Sequence, residues 1–86
     1  MYYIAVFRVR GQSLRLLREL ENSNIPASII NTPGSLNVGC GLSVRFESAY
    51  LQRVVRILNG GNYYSLYGIF YVKKSGGQRG GMIKIL

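Results

Sequence analysis

Apolar and polar positions recur along this chain with two periods, and each period marks out its own elements. Residues 2–10 are β-branched and aromatic and predict a strand. Gly11 breaks it, and Ser13 is the candidate N-cap of a helix from Leu14 to Ser23. In that helix Leu14, Leu17 and Leu20, with Leu16 beside them, form the buried stripe, while Arg15, Arg18, Glu19 and Glu21 face water. Asn24 stands where a helix end needs a left-handed residue, and Pro26 prevents continuation.

Residues 27–31 predict a short second strand, and the stretch from Thr32 to Gly41, rich in turn formers, predicts a loop. Leu42, Val44 and Phe46 alternate with Ser43, Arg45 and Glu47, the pattern of a half-buried strand. Ser48 can cap a second helix whose Leu51, Val54, Val55 and Leu58 recur at helical spacing, with Arg53 and Arg56 outward. Asn59-Gly60-Gly61-Asn62 ends it. Residues 63–73 predict a long aromatic strand, Ser75 to Gly81 a flexible connection, and Met82–Ile85 a final short strand.

The order β-α-β-β-α-β plus one strand predicts a single α+β domain of the ferredoxin-like kind. Its core is residues 2–72, its C-terminal hairpin extension 73–86, and both helices cover one face of an antiparallel sheet. The other face would carry several tyrosines. In this topology the loop before the third strand lies at the same end of the sheet as Arg10-Gly11-Gln12-Ser13.

With 86 residues the chain buries about 60–65% of its unfolded surface, so a homodimer would add stability. Apolar residues at 48% against charged residues at 16% specify a folded core. The N-terminus runs directly into a strand, so no signal peptide is expected, and no apolar run suits a membrane span. A cytoplasmic location is the expectation. The sequence contains no His, Asp or Trp and three Glu. A Ser-His-Asp or Cys-His site is therefore impossible within the chain, and one Cys cannot provide a zinc site or an internal disulfide. No cofactor or metal is expected, and the chain is not expected to be an enzyme. A net charge of +8 points to an anionic partner, against the plainer reading of a dispersed, solubilising basic surface.

The candidate chemistry centres on Cys40, flanked by Gly39 and Gly41, small neighbours that leave a sulfur accessible. The plainer reading is a core-plugging thiol. The segment Ile25 to Pro33, with Ile-Pro and Thr32-Pro33, followed by Cys40-Gly41-Leu42 and Arg45-Phe46 at fixed spacing, resembles the selenium/sulfur carrier-like family of short bacterial proteins. The resemblance covers roughly residues 2–72. Gly34 stands where that family usually has Arg, and Gly39 where a Ser commonly precedes the cysteine. The resemblance implies that Cys40 holds sulfur or selenium as a persulfide or selenosulfide and passes it to a partner protein. Thr32, Pro33, Gly39 and Gly41 would shape the loop, and Arg10, Ser13 and Arg45 would support a thiolate or anion.

Two alternatives use other residues. The basic charge and the aromatic run Tyr67-Gly68-Ile69-Phe70-Tyr71-Val72 suit single-stranded RNA binding through Tyr67 or Tyr71, though these tyrosines can equally pack a sheet face. An exposed sheet face and the terminal strand would serve a protein-interaction module.

Overall fold

A computed structural model describes residues 1–37, 40–73 and 81–86. The strands are β1 (Tyr2–Phe7), β2 (Ala27–Asn31), β3 (Leu42–Glu47), β4 (Leu66–Lys73) and β5 (Gly81–Lys84). The helices are α1 (Arg10–Asn22) and α2 (Leu51–Gly60), with single 3-10 turns at Gly34–Leu36 and Ser48–Tyr50. The strands form one antiparallel sheet in the order β2-β3-β1-β4-β5. Gly39, expected to shape the Cys40 loop, and most of the expected flexible connection, Ser75 to Gly80, lie outside the described residues. Among the described residues, no helix is long and apolar enough to cross a membrane.

Alternation along the strands sorts side chains onto two faces. Ala5 and Phe7 of β1, Val44 and Phe46 of β3 and Ile69 of β4 form one core with Leu16 and Leu20 of α1 and Val54 and Leu58 of α2. Both helices therefore pack on that face. On the other face Ile4, Val6 and Phe70 form a second, smaller core, closed over by Tyr2, Ile30, Leu36, Tyr67, Val72 and Met82.

The C-terminus of α1 follows from Asn24. Its φ of 59° turns the chain left-handed, Ile25 N–H reaches the Leu20 carbonyl at 2.9 Å, and Asn24 N–H reaches that of Glu21 at 3.1 Å. This is a Schellman closure, with Ile25 and Leu20 buried against each other in the core. Arg53 of α2 donates to the Ser23 carbonyl at 2.9 Å, placing a cation at the negative end of α1.

Several boundaries differ from the sequence-based expectation, and Ser48, expected to cap α2, opens a 3-10 turn instead, with α2 starting at Leu51. β1 ends at Phe7 rather than at residue 10, and α1 starts at Arg10, with Ser13 inside its first turn rather than capping it. Gly11, read as a breaker, is tolerated in an exposed first turn. The start is held instead by Gln12, whose Oε1 accepts from Ser65 N–H at 2.9 Å and Ser65 Oγ at 2.7 Å. Ser65 in turn receives Val9 N–H on Oγ and Arg8 N–H on its carbonyl. β4 begins at Leu66 and not at residue 63, because Tyr63 folds back into the helix-side core while Tyr64 stays exposed. β5 runs Gly81–Lys84 instead of 82–85. The tyrosines also divide: Tyr3 and Tyr71 pack with each other on the helix side, where Tyr3 stacks on Phe46, and Tyr2 and Tyr67 lie on the helix-free side.

Tyr63 joins the layers. Its hydroxyl donates to Glu19, its ring lies 5.7 Å from that of Phe7, and Arg15 sits 4.4 Å above it while pairing with Glu19 at 3.3 Å. Burial first, and then the bond to Glu19, hold the Tyr63 phenol well above its ordinary value of 10.0. A raised acid constant means that the folded state keeps this proton where the unfolded chain loses it. The contribution to stability is complete below about pH 10 and is lost as pH rises beyond it. In urea titrations, the unfolding midpoint of the wild type should fall more steeply above pH ~10 than that of Tyr63→Phe. That variant should lose about 1 kcal/mol at neutral pH with the hydrogen bond.

Gly68 sets a second constraint, where β4 meets the chain end. A Cβ there would stand 2.7 Å from Lys84 Cε and 2.9 Å from the Leu86 carbonyl oxygen. Lys84 can move aside, but the backbone oxygen accepts from Ile69 N–H and cannot. Gly68→Ala should therefore cost about 1–3 kcal/mol in denaturant unfolding. It should also speed amide exchange at Ile85, whose N–H pairs with the Ile69 carbonyl at 2.8 Å.

Candidate functional site

β2 and β3 are neighbouring antiparallel strands, so the segment between them is a hairpin loop at one end of the sheet. Its two arms are tied by Thr32, whose N–H donates to the Gly41 carbonyl at 2.8 Å and whose Oγ1 lies 2.7 Å from the buried Ser43 Oγ. Pro33 enters the 3-10 turn at φ −55°, and Asn37 leaves it at φ 51°. Gly41 has φ +78°, a conformation that side chains resist, which lets the chain turn sharply into β3 directly after the cysteine.

Cys40 is partly exposed, and its apolar contacts are with the helix-side core. The thiol donates to the Leu42 carbonyl at 3.2 Å, and Leu42 N–H donates back to Sγ at 3.4 Å. Ser13, fully buried in the first turn of α1, places its Oγ 3.7 Å from Sγ and donates to the same Leu42 carbonyl at 3.0 Å. Sulfur, hydroxyl and the backbone N–H and carbonyl of Leu42 thus form a closed cluster at the positive end of a helix. The cluster contains one nucleophile and no base.

The expected support residues separate in space. Ser13 joins Cys40. Arg10 opens α1 as an exposed residue, and among the described residues it makes no hydrogen bond or ion pair to the loop. Arg45 lies on the opposite side of the sheet, its guanidinium carbon 3.9 Å from the centre of the Tyr2 ring. Period-two alternation from Val44 already implied that direction. Thr32, Pro33 and Gly41 all lie in the loop that carries the cysteine.

The backbone N–H and carbonyl of Leu42 and the Ser43 hydroxyl were not foreseen as members of this site. Their contributions come through backbone atoms and a side chain on the helix-free face, which side-chain patterns do not report. Among the described residues no group of three His, Cys, Asp or Glu side chains is placed to hold a metal ion.

A family model described as "Putative Se/S carrier protein-like" matches residues 2–67, from the start of β1 through the Cys40 loop and α2 into β4. No curated protein and no solved structure matches the chain. With most of its length inside that one match, and Cys40 within it, the chain belongs to the Se/S carrier protein-like family.

Proposed function

We propose that Cys40 carries a single sulfur or selenium atom between partner proteins. The observation that carries the reading is the Cys40–Ser13–Leu42 cluster, a partly exposed thiol with hydrogen-bonding groups on its inner side and nothing to deprotonate a substrate. In the loading step the Cys40 thiolate attacks the terminal sulfur of a donor persulfide. The new Sγ–S bond forms as the donor's S–S bond breaks, and the donor leaves as its own thiolate. Unloading is the same displacement in reverse sense, with an acceptor nucleophile taking the outer atom and Cys40 leaving as thiolate. No external oxidant or reductant enters either step. The chain has no catalytic activity of its own in this reading and works in a reducing, cytoplasmic setting. Its sandwich is a ferredoxin-like unit lengthened at one sheet edge by β5.

Each hydrogen-bonding group has a part in the cycle. The neutral thiol is held by the Leu42 carbonyl. Once ionised, sulfur can no longer donate there, but Leu42 N–H already points at it. The Ser13 hydroxyl needs only to rotate from the carbonyl to the sulfur.

Two measurements test this reading. Ser13→Ala should slow alkylation of Cys40 by iodoacetamide at neutral pH roughly fivefold, what about 1 kcal/mol of hydrogen bonding to the thiolate provides. An unchanged rate would remove Ser13 from the mechanism. Incubation of the chain with a cysteine desulfurase and cysteine should add one sulfur atom to the Cys40 peptide in mass spectrometry, and Cys40→Ser should gain none. A thiol that stays unmodified while the desulfurase persulfide accumulates would sink the carrier reading.

A further inference from the structure

We propose that the helix-free face of the sheet binds single-stranded RNA through three cations set on tyrosine rings. Among the described residues neither α1 nor α2 packs on this face. Arg45 lies 3.9 Å above Tyr2 at one end of it, and Arg8 and Lys84 lie 5.0 and 4.7 Å from the ring centre of Tyr67 at the other. All three cations are exposed. The Tyr67 ring is itself stacked on Phe70, with centres 6.0 Å apart and planes inclined by 13°. Strand alternation adds one acid to this face, Glu47, whereas Glu19 and Glu21 are on α1 across the sheet. The face is therefore net positive among the described residues, and its rings and charges occur as pairs.

Charge decides against a second copy of the chain, because two such faces would oppose cation to cation. The rings decide between anionic partners. An acidic peptide would use the three charges and leave the aromatic planes idle. A nucleic acid uses both, since a base stacks on a tyrosine or on the outer plane of a guanidinium while the phosphate pairs with its N–H groups. A single strand is favoured over a duplex because a flat sheet face meets bases only when they are splayed out. Tyr2 is in register with Val72, and the bulge opposite Val6 and Phe7 turns Tyr67 onto the same face, so the two strand positions stand about 15 Å apart. That spacing suits an extended strand of several nucleotides better than a mononucleotide. Tyr71, one of the tyrosines that the sequence offered for this role, is directed to the helix side against Tyr3 and takes no part.

The test is fluorescence anisotropy of a labelled oligouridine of about twelve nucleotides, titrated with the full chain between about 50 and 200 mM salt. Three phosphate contacts give an expected slope of log K against log salt near −2, at about −0.7 per contact on a single strand. Arg8→Gln, Arg45→Gln and Lys84→Gln should each flatten that slope by about 0.7 and weaken binding at low salt about threefold. Tyr67→Leu should weaken binding about tenfold and leave the slope in place, because stacking releases no counterions. Tyr2→Leu, at a strand end, serves the same purpose should Tyr67→Leu melt early. Arg56→Gln, on the outer side of α2, is the control for diffuse charge and should leave affinity within about twofold. Equal losses from Arg56→Gln and Arg45→Gln, absence of saturable binding, or no loss from either tyrosine variant would each overturn the proposal. So would a poly-glutamate peptide binding more tightly than the RNA with the same variant sensitivity, which would make the face an acidic-protein dock. Cys40→Ser should bind RNA as the wild type does, so this result and that of the carrier test stand apart.

Discussion

Everything else in this molecule depends on burying β1 on both faces. Ile4, Ala5, Val6 and Phe7 are each 0% exposed, although a strand in a two-layer sandwich normally hides only alternate residues. Pairing with β3 on one side and β4 on the other satisfies its backbone. Its side chains still require a layer above and a layer below. The helices supply the first with Leu16, Leu20, Val54 and Leu58. The second, among the described residues, is assembled without α1 or α2, from Tyr2, Ile30, Leu36, Tyr67, Val72 and Met82 of the strands and the loop.

That requirement also explains why the cysteine loop is shaped as it is. The hairpin between β2 and β3 straddles the end of the sheet, with Leu36 packed into the helix-free core and Cys40 against the helix-side core. Thr32 clamps its base by one bond to Gly41 and one to Ser43. The thiol is consequently held at the start of α1 by packing as well as by its three polar contacts. The same division keeps the two kinds of surface chemistry apart, with the thiol on the helix side and the cation–tyrosine pairs of Arg8, Arg45 and Lys84 on the other.

Strands whose periodicity reports burial were legible from the chain alone, but in α1 the expected stripe was misplaced: Leu14 is exposed, and Gln12, Ser13, Leu16 and Leu20 form the buried side. β2 and β3 were expected with the bounds they have, because Leu42, Val44 and Phe46 alternate cleanly and the flanking Pro and Gly residues confine them. Asn24 was legible for a local reason, since few residues tolerate its conformation. The α1 start was not. Its determinant is the Gln12–Ser65 bond, made between residues 53 positions apart, and nothing near Ser13 in sequence signals it. Tyr63 was misassigned for a similar reason, as its aromatic ring satisfies a strand pattern while its hydroxyl is claimed by Glu19 on α1. For the site, the loop and its cysteine were legible from turn formers and spacing. The separation of Arg45 from Cys40 was legible from the alternation around Val44, whereas the part played by the Leu42 N–H and carbonyl depends on the path of the backbone from Cys40 into β3.

The surroundings of Cys40 bear on what kind of chemistry a lone thiol can sustain. A catalytic cysteine needs a partner that takes its proton and returns it to a leaving group within each turnover. Here the groups in contact are a carbonyl, an amide and a hydroxyl, none of which accepts a proton near neutral pH. Such a set can stabilise both the thiol and the thiolate, one through the Leu42 carbonyl and the other through Leu42 N–H and Ser13. The proposed carrier uses both forms. The sulfur has to ionise to be loaded and has to leave as a thiolate when the outer atom is taken. A strongly preferred thiolate would be the poorer attacking nucleophile, and a strongly preferred thiol the poorer leaving group. In the proposed carrier role, the partial exposure of Cys40 gives an acceptor access to an atom added to Sγ.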